Sequence, residues 1–316
     1  MSYTTKIKNE AATVDITTSE IVAELSGFIR NNMVIRENNI TLSSENKTII
    51  DRMNKYIEDI FKITPKIEIR NSTNFSKRDL YFLLIPYNKD ILTTVGYSEN
   101  EVYLDTPPEY IVGGNEEIRA YLRGVFFHSG SINDPKTSRY HMEILVLEPE
   151  EAIFVQKLLN IFDLNAKILN RDKGYMIYIK EADKISDFIK IIGASSAVLY
   201  FENVRIYRDK KNKTNRLNNC EQANTDKIIL SATKQLDDIK LIEETASISL
   251  LDEKEVIVLN YRKKYPETSL KDLAQIISLE TTKPITKSGL NHRLHKITNL
   301  AERIRKNLKE IENIHN

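Results

Sequence analysis

Cysteine is nearly missing from this 316-residue chain, in which Cys220 stands alone. No intramolecular disulfide can form, and no cysteine-rich metal or iron–sulfur site can be built from this chain by itself. Long apolar runs are missing as well. Nothing approaches the roughly 18 residues of a membrane span, and the first fifteen residues are polar and mixed in charge, unlike an export signal. These absences point to a soluble, unexported protein of a reducing cytoplasm. Tryptophan is absent beside fifteen tyrosines, which discriminates nothing.

The length leaves room for two or three domains. A formal net charge of +1 conceals an asymmetry: between Thr281 and Lys309 eight Lys/Arg face one Asp/Glu, so the segment carries +7 and the remainder −6. Such a basic tail on a mildly acidic body suits a nucleic-acid-facing segment, although a solvated helix face is an equal alternative. A second basic cluster, Arg205, Arg208, Lys210, Lys211, Lys213 and Arg216, lies between body and tail.

Gly124 falls inside the apolar stretch AYLRGVFFHSGSIND, where a helical glycine costs roughly 1 kcal/mol against alanine. The plainest offset is close approach of a second helix backbone. A matching helix occurs near the amino terminus, where Leu25, Gly27, Phe28 and Ile29 align with Leu122, Gly124, Val125 and Phe126. Gly27 and Gly124 are therefore expected at a lobe-to-lobe contact.

The elements around the two helices repeat. After the first come a hairpin (33–36 and 39–42), a helix 45–61 capped by Ser44, strands 66–70 and 79–86 flanking a loop at 71–77, and a short helix 90–95. After the second (116–128) come a turn at 133–135, a strand 140–147, a helix 149–162 with proline in its first turn, strands 166–170 and 175–180, and a helix 181–192. Recurrence of this order argues duplication. Gly113 and Gly114 read as a linker between the lobes, because no Gly-Lys-Ser/Thr follows to make a phosphate loop.

From Glu202 the chain reads as a connector: a basic strand or loop, then the Asn-rich NKTNRLNNCEQANTDK, within which NRLNNC is expected as a packed hinge, then a helix 228–244. Three more helices follow: one opened by Asp252 with Glu255 in a capping-box pattern, one starting at Ser269, and one capped by Thr286. In the last, Leu290, Leu294, Ile297, Ala301 and Ile304 form the inner stripe. Lys287, Ser288, Asn291, His292 and His295 are left on the other side. Three such helices suit a helix-turn-helix, whose last helix presents its first turns to the major groove. Thr286, Lys287, Ser288, Asn291 and His292 then form a reading edge, and Arg293, Lys296, Arg303 and Arg305 are candidate phosphate contacts. A protein-binding module built on the same helices remains the alternative.

The paired glycine helices resemble the motif helices of LAGLIDADG homing endonucleases. YLRGVFFHSGSINDP, NRLNNCEQAN and SLKDLAQII with KSGLNHRLHKI together resemble the WhiA family, bacterial DNA-binding regulators of sporulation and cell division, over nearly the whole chain. The resemblance implies an α+β two-lobed LAGLIDADG-like domain (duplicated αββαββα) followed by an all-α helix-turn-helix domain. The expected division is 1–112 and 113–205 for the lobes, 206–245 for a basic linker and connecting helix, and 246–316 for the helix-turn-helix. Transcription regulation, cell division and chromosome segregation at the nucleoid are the implied roles, and double-stranded DNA the partner. A regulatory protein partner is implied for some members, an iron–sulfur protein of the WhiB type. The Asn, Lys and Ile bias here, typical of an AT-rich genome, does not favour assuming it.

In the endonucleases each motif helix ends in an acidic residue that holds a divalent metal. Residue-by-residue transfer places Asn32 and Ser129 there, with Met33 replacing the first motif's closing glycine. Neither position supplies a carboxylate for a hard cation. No catalytic residue, metal or cofactor is therefore expected; a metal-dependent endonuclease and a protein- or RNA-interaction module are the rival readings. His128 and His141 lack an acidic partner at ligand spacing and read as a helix end and a strand surface. Residues 278–285 make a loop longer than the 3 to 4 residue turn of a simple helix-turn-helix, which leaves the register of the reading helix open.

Overall fold

The chain opens on a helix not anticipated from its polar composition, α1 (Tyr3–Ala11). Ser2 caps it by accepting from the Thr5 N–H, and Tyr3, Ile7 and Ala11, one helical turn apart, are buried. In the computed structural model, residues 1–315 are described apart from 37, 71–78, 101, 138, 246 and 282, and 312–315 by backbone alone. The expected loop at 71–77 lies outside the described residues.

The first lobe continues with α2 (Thr18–Arg30), β1 (Val34–Arg36), β2 (Asn39–Ser44), α3 (Lys47–Phe61), β3 (Lys66–Arg70), β4 (Leu80–Pro86) and α4 (Lys89–Thr94), and a small ribbon, β5 (Ser98–Glu99) with β6 (Val102–Tyr103), closes it. The second comprises α5 (Asn115–Ser129), β7 (Gly130–Ile132), β8 (Met142–Val146), α6 (Pro149–Ile161), β9 (Lys167–Arg171), β10 (Gly174–Ile179) and α7 (Ala182–Ile191). The two four-stranded antiparallel sheets have the same order, β1-β2-β4-β3 and β7-β8-β10-β9. Duplication of αββαββα is thus visible in the pairing as well as in the element order.

Two details differ from expectation. The cap of α3 is Asn46, which accepts from the Thr48 N–H; Ser44 ends β2 and instead accepts from the Asn46 N–H. The segment after α5 continues as β7, pairing Ser131 with Glu143. Its edge is completed by Thr4 of α1, whose Oγ1 donates to the Ile132 carbonyl (2.9 Å) and accepts from its N–H (3.0 Å).

The largest correction is α8 (Ser195–Glu244), a single helix of 50 residues. The stretch expected as strand, loop and packed hinge is helical throughout, and residues 209–227 are exposed on every side. Glu10 of α1 caps its first turn, accepting from the N–H groups of Ser196 (2.5 Å) and Ala197 (3.0 Å). The chain divides into two units, Met1–Asp209 and Lys210–Asn316. In the second, α8 is followed by α9 (Glu253–Lys264), α10 (Leu270–Glu280) and α11 (Lys287–His315).

Candidate nucleic-acid interface

Within the body, α2 and α5 cross through their glycines. A Cβ on Gly124 would lie 2.1 Å from the Glu24 carbonyl oxygen, and one on Gly27 would lie 2.3 Å from that of Tyr121. Each glycine thus faces the carbonyl three residues before the other, a reciprocity that follows from the duplication. Beside this crossing the fully buried Glu24 carboxylate receives Arg123 Nε of α5 (2.6 Å) and Arg52 Nε of α3 (2.6 Å). Arg52 also donates to the Ala12 carbonyl. Paired and hydrogen-bonded, these charges tolerate burial, and they tie both lobes to the residue following α1.

At the carboxyl ends of the same helices the two described motif positions, Asn32 and Ser129, offer no carboxylate to a divalent cation. The Asn32 amide is buried and committed to β2, donating to the Ser43 carbonyl (2.9 Å) and accepting from its N–H (3.0 Å). Ser129 Oγ is buried with no hydrogen-bond partner among the described residues. A cation is already present, since Lys8 Nζ donates to the Phe127 carbonyl (3.0 Å) and lies 5.3 Å from the Phe126 ring centre. An ammonium there complements the negative end of α5. Burial pulls Lys8 down to about 8, and burial with the Lys8 charge pulls His128 down to about 4. His141, just before β8 and expected to lack an acidic partner, pairs with Glu143 (3.1 Å), a two-residue contact that gathers no third ligand among the described residues. Among the described residues no group of three His, Cys, Asp or Glu is gathered at ligating distance.

The second unit builds a different surface. Ile239 and Ile242 of α8, Val258 and Leu259 of α9, Leu273, Ala274 and Ile277 of α10, and Leu290, Leu294, Ile297 and Ala301 of α11 form one core. Asp252 and Glu255 complete the capping box of α9 in both directions, the Glu255 N–H donating to Asp252 Oδ1 (2.7 Å) and the Asp252 N–H to Glu255 Oε2 (3.0 Å). Arg262, 2% exposed, closes the turn from α9 to α10 by donating to the Thr268 carbonyl (2.8 Å). The α10–α11 connection is shorter than expected, because α10 runs on through Glu280 and leaves only 281–286. Ser278 Oγ braces it, accepting from the Ile285 N–H (2.9 Å), and Thr286 Oγ1 caps α11 by accepting from the Gly289 N–H (3.1 Å).

Those interactions fix the register of α11. Leu290, Leu294, Ile297 and Ala301 of its inner stripe are buried and Ile304 partly so, while Lys287, Ser288, Asn291, His292 and His295 are exposed on the first turns. Lys287, Asn291, His292, Arg293 and Arg303 make no hydrogen bond or ion pair with any described residue. The two other proposed phosphate contacts are engaged internally. Lys296 Nζ pairs with Glu255 Oε1 (2.9 Å), and Arg305 Nη2 stands 2.7 Å from Asp238 Oδ1, whose side chain is fully buried. Asp238 is a partner not foreseen from the sequence, although an aspartate on the apolar side of a helix marks a buried charge in want of one.

A duplicated αββαββα body followed by a small helical unit defines a two-lobed LAGLIDADG-like protein with a carboxyl-terminal helix-turn-helix. Family models agree in order: the WhiA N-terminal LAGLIDADG-like domain matches residues 18–96, the WhiA LAGLIDADG-like domain 118–211, and the WhiA C-terminal HTH domain 214–301. The chain is 39% identical to a probable cell division protein WhiA of Staphylococcus haemolyticus and 38% to one of Staphylococcus aureus. Each alignment covers 96% of this chain and 98% of the relative. The crystal structure of full-length WhiA from Thermatoga maritima shares the fold, with a TM-score of 0.59 at 23% identity over 96% of this chain and 99% of that one. The chain belongs to the WhiA family.

Proposed function

We propose that this chain is a non-enzymatic, nucleoid-associated DNA-binding protein that regulates transcription and contributes to cell division and chromosome segregation. The observation that carries the reading is α11: a side-chain cap at Thr286, a buried stripe that fixes its rotation, and Lys287, Ser288, Asn291 and His292 on the outward first turns with no partner among the described residues. Asparagine pairs bidentately with adenine, lysine with guanine or phosphate, and a helix amino terminus favours phosphate. Arg293 and Arg303 flank that edge as phosphate contacts, while Lys296 and Arg305 contribute by holding α11 to α9 and α8. The body positions this unit rather than cutting DNA, because Asn32, Ser129 and Lys8 suit no divalent cation.

Duplex binding by the full chain tests the reading. Alanine at Lys287 or Asn291 is expected to cost about 1–3 kcal/mol for each base-reading side chain removed, whereas Lys296→Ala acts mainly on stability. Undiminished affinity of the Lys287→Ala, Asn291→Ala double variant for its selected duplex would refute the assignment of α11. Such a result would favour the interaction-module reading.

A further inference from the structure

We propose that the exposed middle of α8 is a second DNA-reading element, inserting the face formed by Asn212, Asn215, Arg216 and Asn219 into a major groove beside the site bound by α11. The proposal rests on the reading of the chain as a duplex-DNA-binding protein.

Residues 209–227 are helical and exposed all round, so no packing requirement explains their identity. Five are asparagines, at 212, 215, 218, 219 and 224. Asparagine is a poor helix former, because its amide competes for the backbone. A helix that had only to span a gap would be served better by alanine, glutamate or lysine. The cost is not offset inside the molecule either: Asn212, Asn215, Arg216 and Asn219 make no hydrogen bond with any described residue.

At 100° per residue, positions 212, 215, 216 and 219 fall on one face within about a third of the circumference. That face carries the two side-chain types that read duplex bases bidentately, Asn for adenine and Arg for guanine. Charge agrees, since Lys210, Lys211, Lys213 and Arg216 are unopposed by any carboxylate from 210 to 220. A bare helix that is basic, rich in amides and about 10–12 Å across fits a major groove. An acidic peptide would call for the lysines but not for the ordered amides. Lys287 of the α11 reading edge lines one hollow with Lys227, Ile228 and Ser231 of α8, so only about 16 to 23 Å of helix, at 1.5 Å per residue, separates Arg216 from that edge, within reach of the same duplex.

The test uses the full chain and a pool of random-sequence duplex DNA, from which the wild type is allowed to enrich its sites. Binding of the enriched duplex is then compared for the wild type, for Asn215→Ala, Arg216→Ala, Asn219→Ala combined, and for Lys287→Ala, Asn291→Ala combined. Alanine favours the helix, and circular dichroism confirms that it persists. The α8 variant is expected to lose roughly tenfold or more in affinity and to lose hydroxyl-radical protection on one flank of the site only. Arg216→Lys, which keeps the charge but not the fork, should relax sequence preference there with little change in salt dependence. Affinity within twofold of wild type for the α8 variant overturns the inference, as does an equal loss on enriched and random duplex, or a larger loss on RNA than on duplex DNA. If only the α11 variant retains full affinity, the assignment of α11 fails while that of α8 stands; if the wild type enriches no duplex, both fail.

Discussion

At the scale of single residues, the glycine pair and one glutamate carry the sharpest expectations. Gly124→Ala drives a Cβ against the Glu24 carbonyl, backbone that cannot swing away, so the loss should reach at least the upper part of the usual 1–3 kcal/mol for overpacking. A lowered urea midpoint with unchanged far-ultraviolet dichroism checks it. Glu151 is 2% exposed, and Asn31 Nδ2 of the other lobe donates to it (2.6 Å). Burial raises its pKa from 4.5 to about 7 against the pull of Arg30 and Asn31. The fold therefore holds the neutral acid, and this stabilisation, on the order of 3 kcal/mol, is complete below pH 4.5 and is lost as pH rises through 7. His128 acts oppositely: held neutral with a pKa of about 4, it contributes stability above pH 6.5 that is lost as pH falls through 4. Denaturant midpoints measured from pH 4 to 8 should show the two trends partly cancelling in the wild type. In Glu151→Gln the decline between pH 6.5 and 7.5 should vanish, and a decline that persists there removes Glu151 as its source. The glycines were legible because an apolar helix has few reasons to hold one. Lys8 was not, because its partner Phe127 is 119 residues away, and a lysine in a polar leader resembles any other surface charge.

Among elements, the helices with an apolar stripe and a capping residue were recovered almost to the residue, as were the strands with period-two burial. Asp252 with Glu255 and Thr286 before Lys287 are local signals, and the structure uses both locally. Failures came where cause and effect are far apart in the chain. β7 is too short to show alternation and exists because β8 and Thr4 pair with it. The middle of α8 has no apolar period and many asparagines, so sequence alone favours a loop; it is helical between segments docked at both ends, Phe201 in one core and Ile239 in the other. Glu255 belongs to this scale too. It completes a capping box and binds Lys296, so Glu255→Ala should loosen α9 and free a cation on α11 together. The expected result is a lower thermal midpoint, by about 4 to 8 °C for each kcal/mol of stability removed from a unit this small, read by calorimetry.

For the whole molecule the absences noted at the outset remain informative. No described helix is long and apolar enough to cross a membrane. The body keeps the two-lobed fold while the residues at its motif ends do other work: Asn32 anchors a strand, the Ser129 hydroxyl oxygen is buried, and Lys8 holds a positive charge against the Phe127 carbonyl near the end of α5. Incubation with plasmid or genomic DNA in Mg²⁺ or Mn²⁺ should leave the DNA uncut at every concentration that binds. Restoring carboxylates as Asn32→Asp with Ser129→Asp should not suffice, because the Lys8 ammonium still opposes a divalent cation. Site-specific nicking by the wild type would reverse this account.

The bare stretch of α8 has a consequence for the lifetime of the chain. A helix segment without tertiary packing opens by itself, at a free energy far below that of either core, and each opening of 209–227 exposes Lys210, Lys211, Lys213 and Arg216 to a protease. Limited trypsin digestion should therefore sever the free protein there first, releasing two resistant fragments, while every fold-stabilising interaction described above stays intact. The helix most exposed to solvent is thus also the chain's point of breakage, and whatever covers it in the cell sets how long both halves remain one molecule.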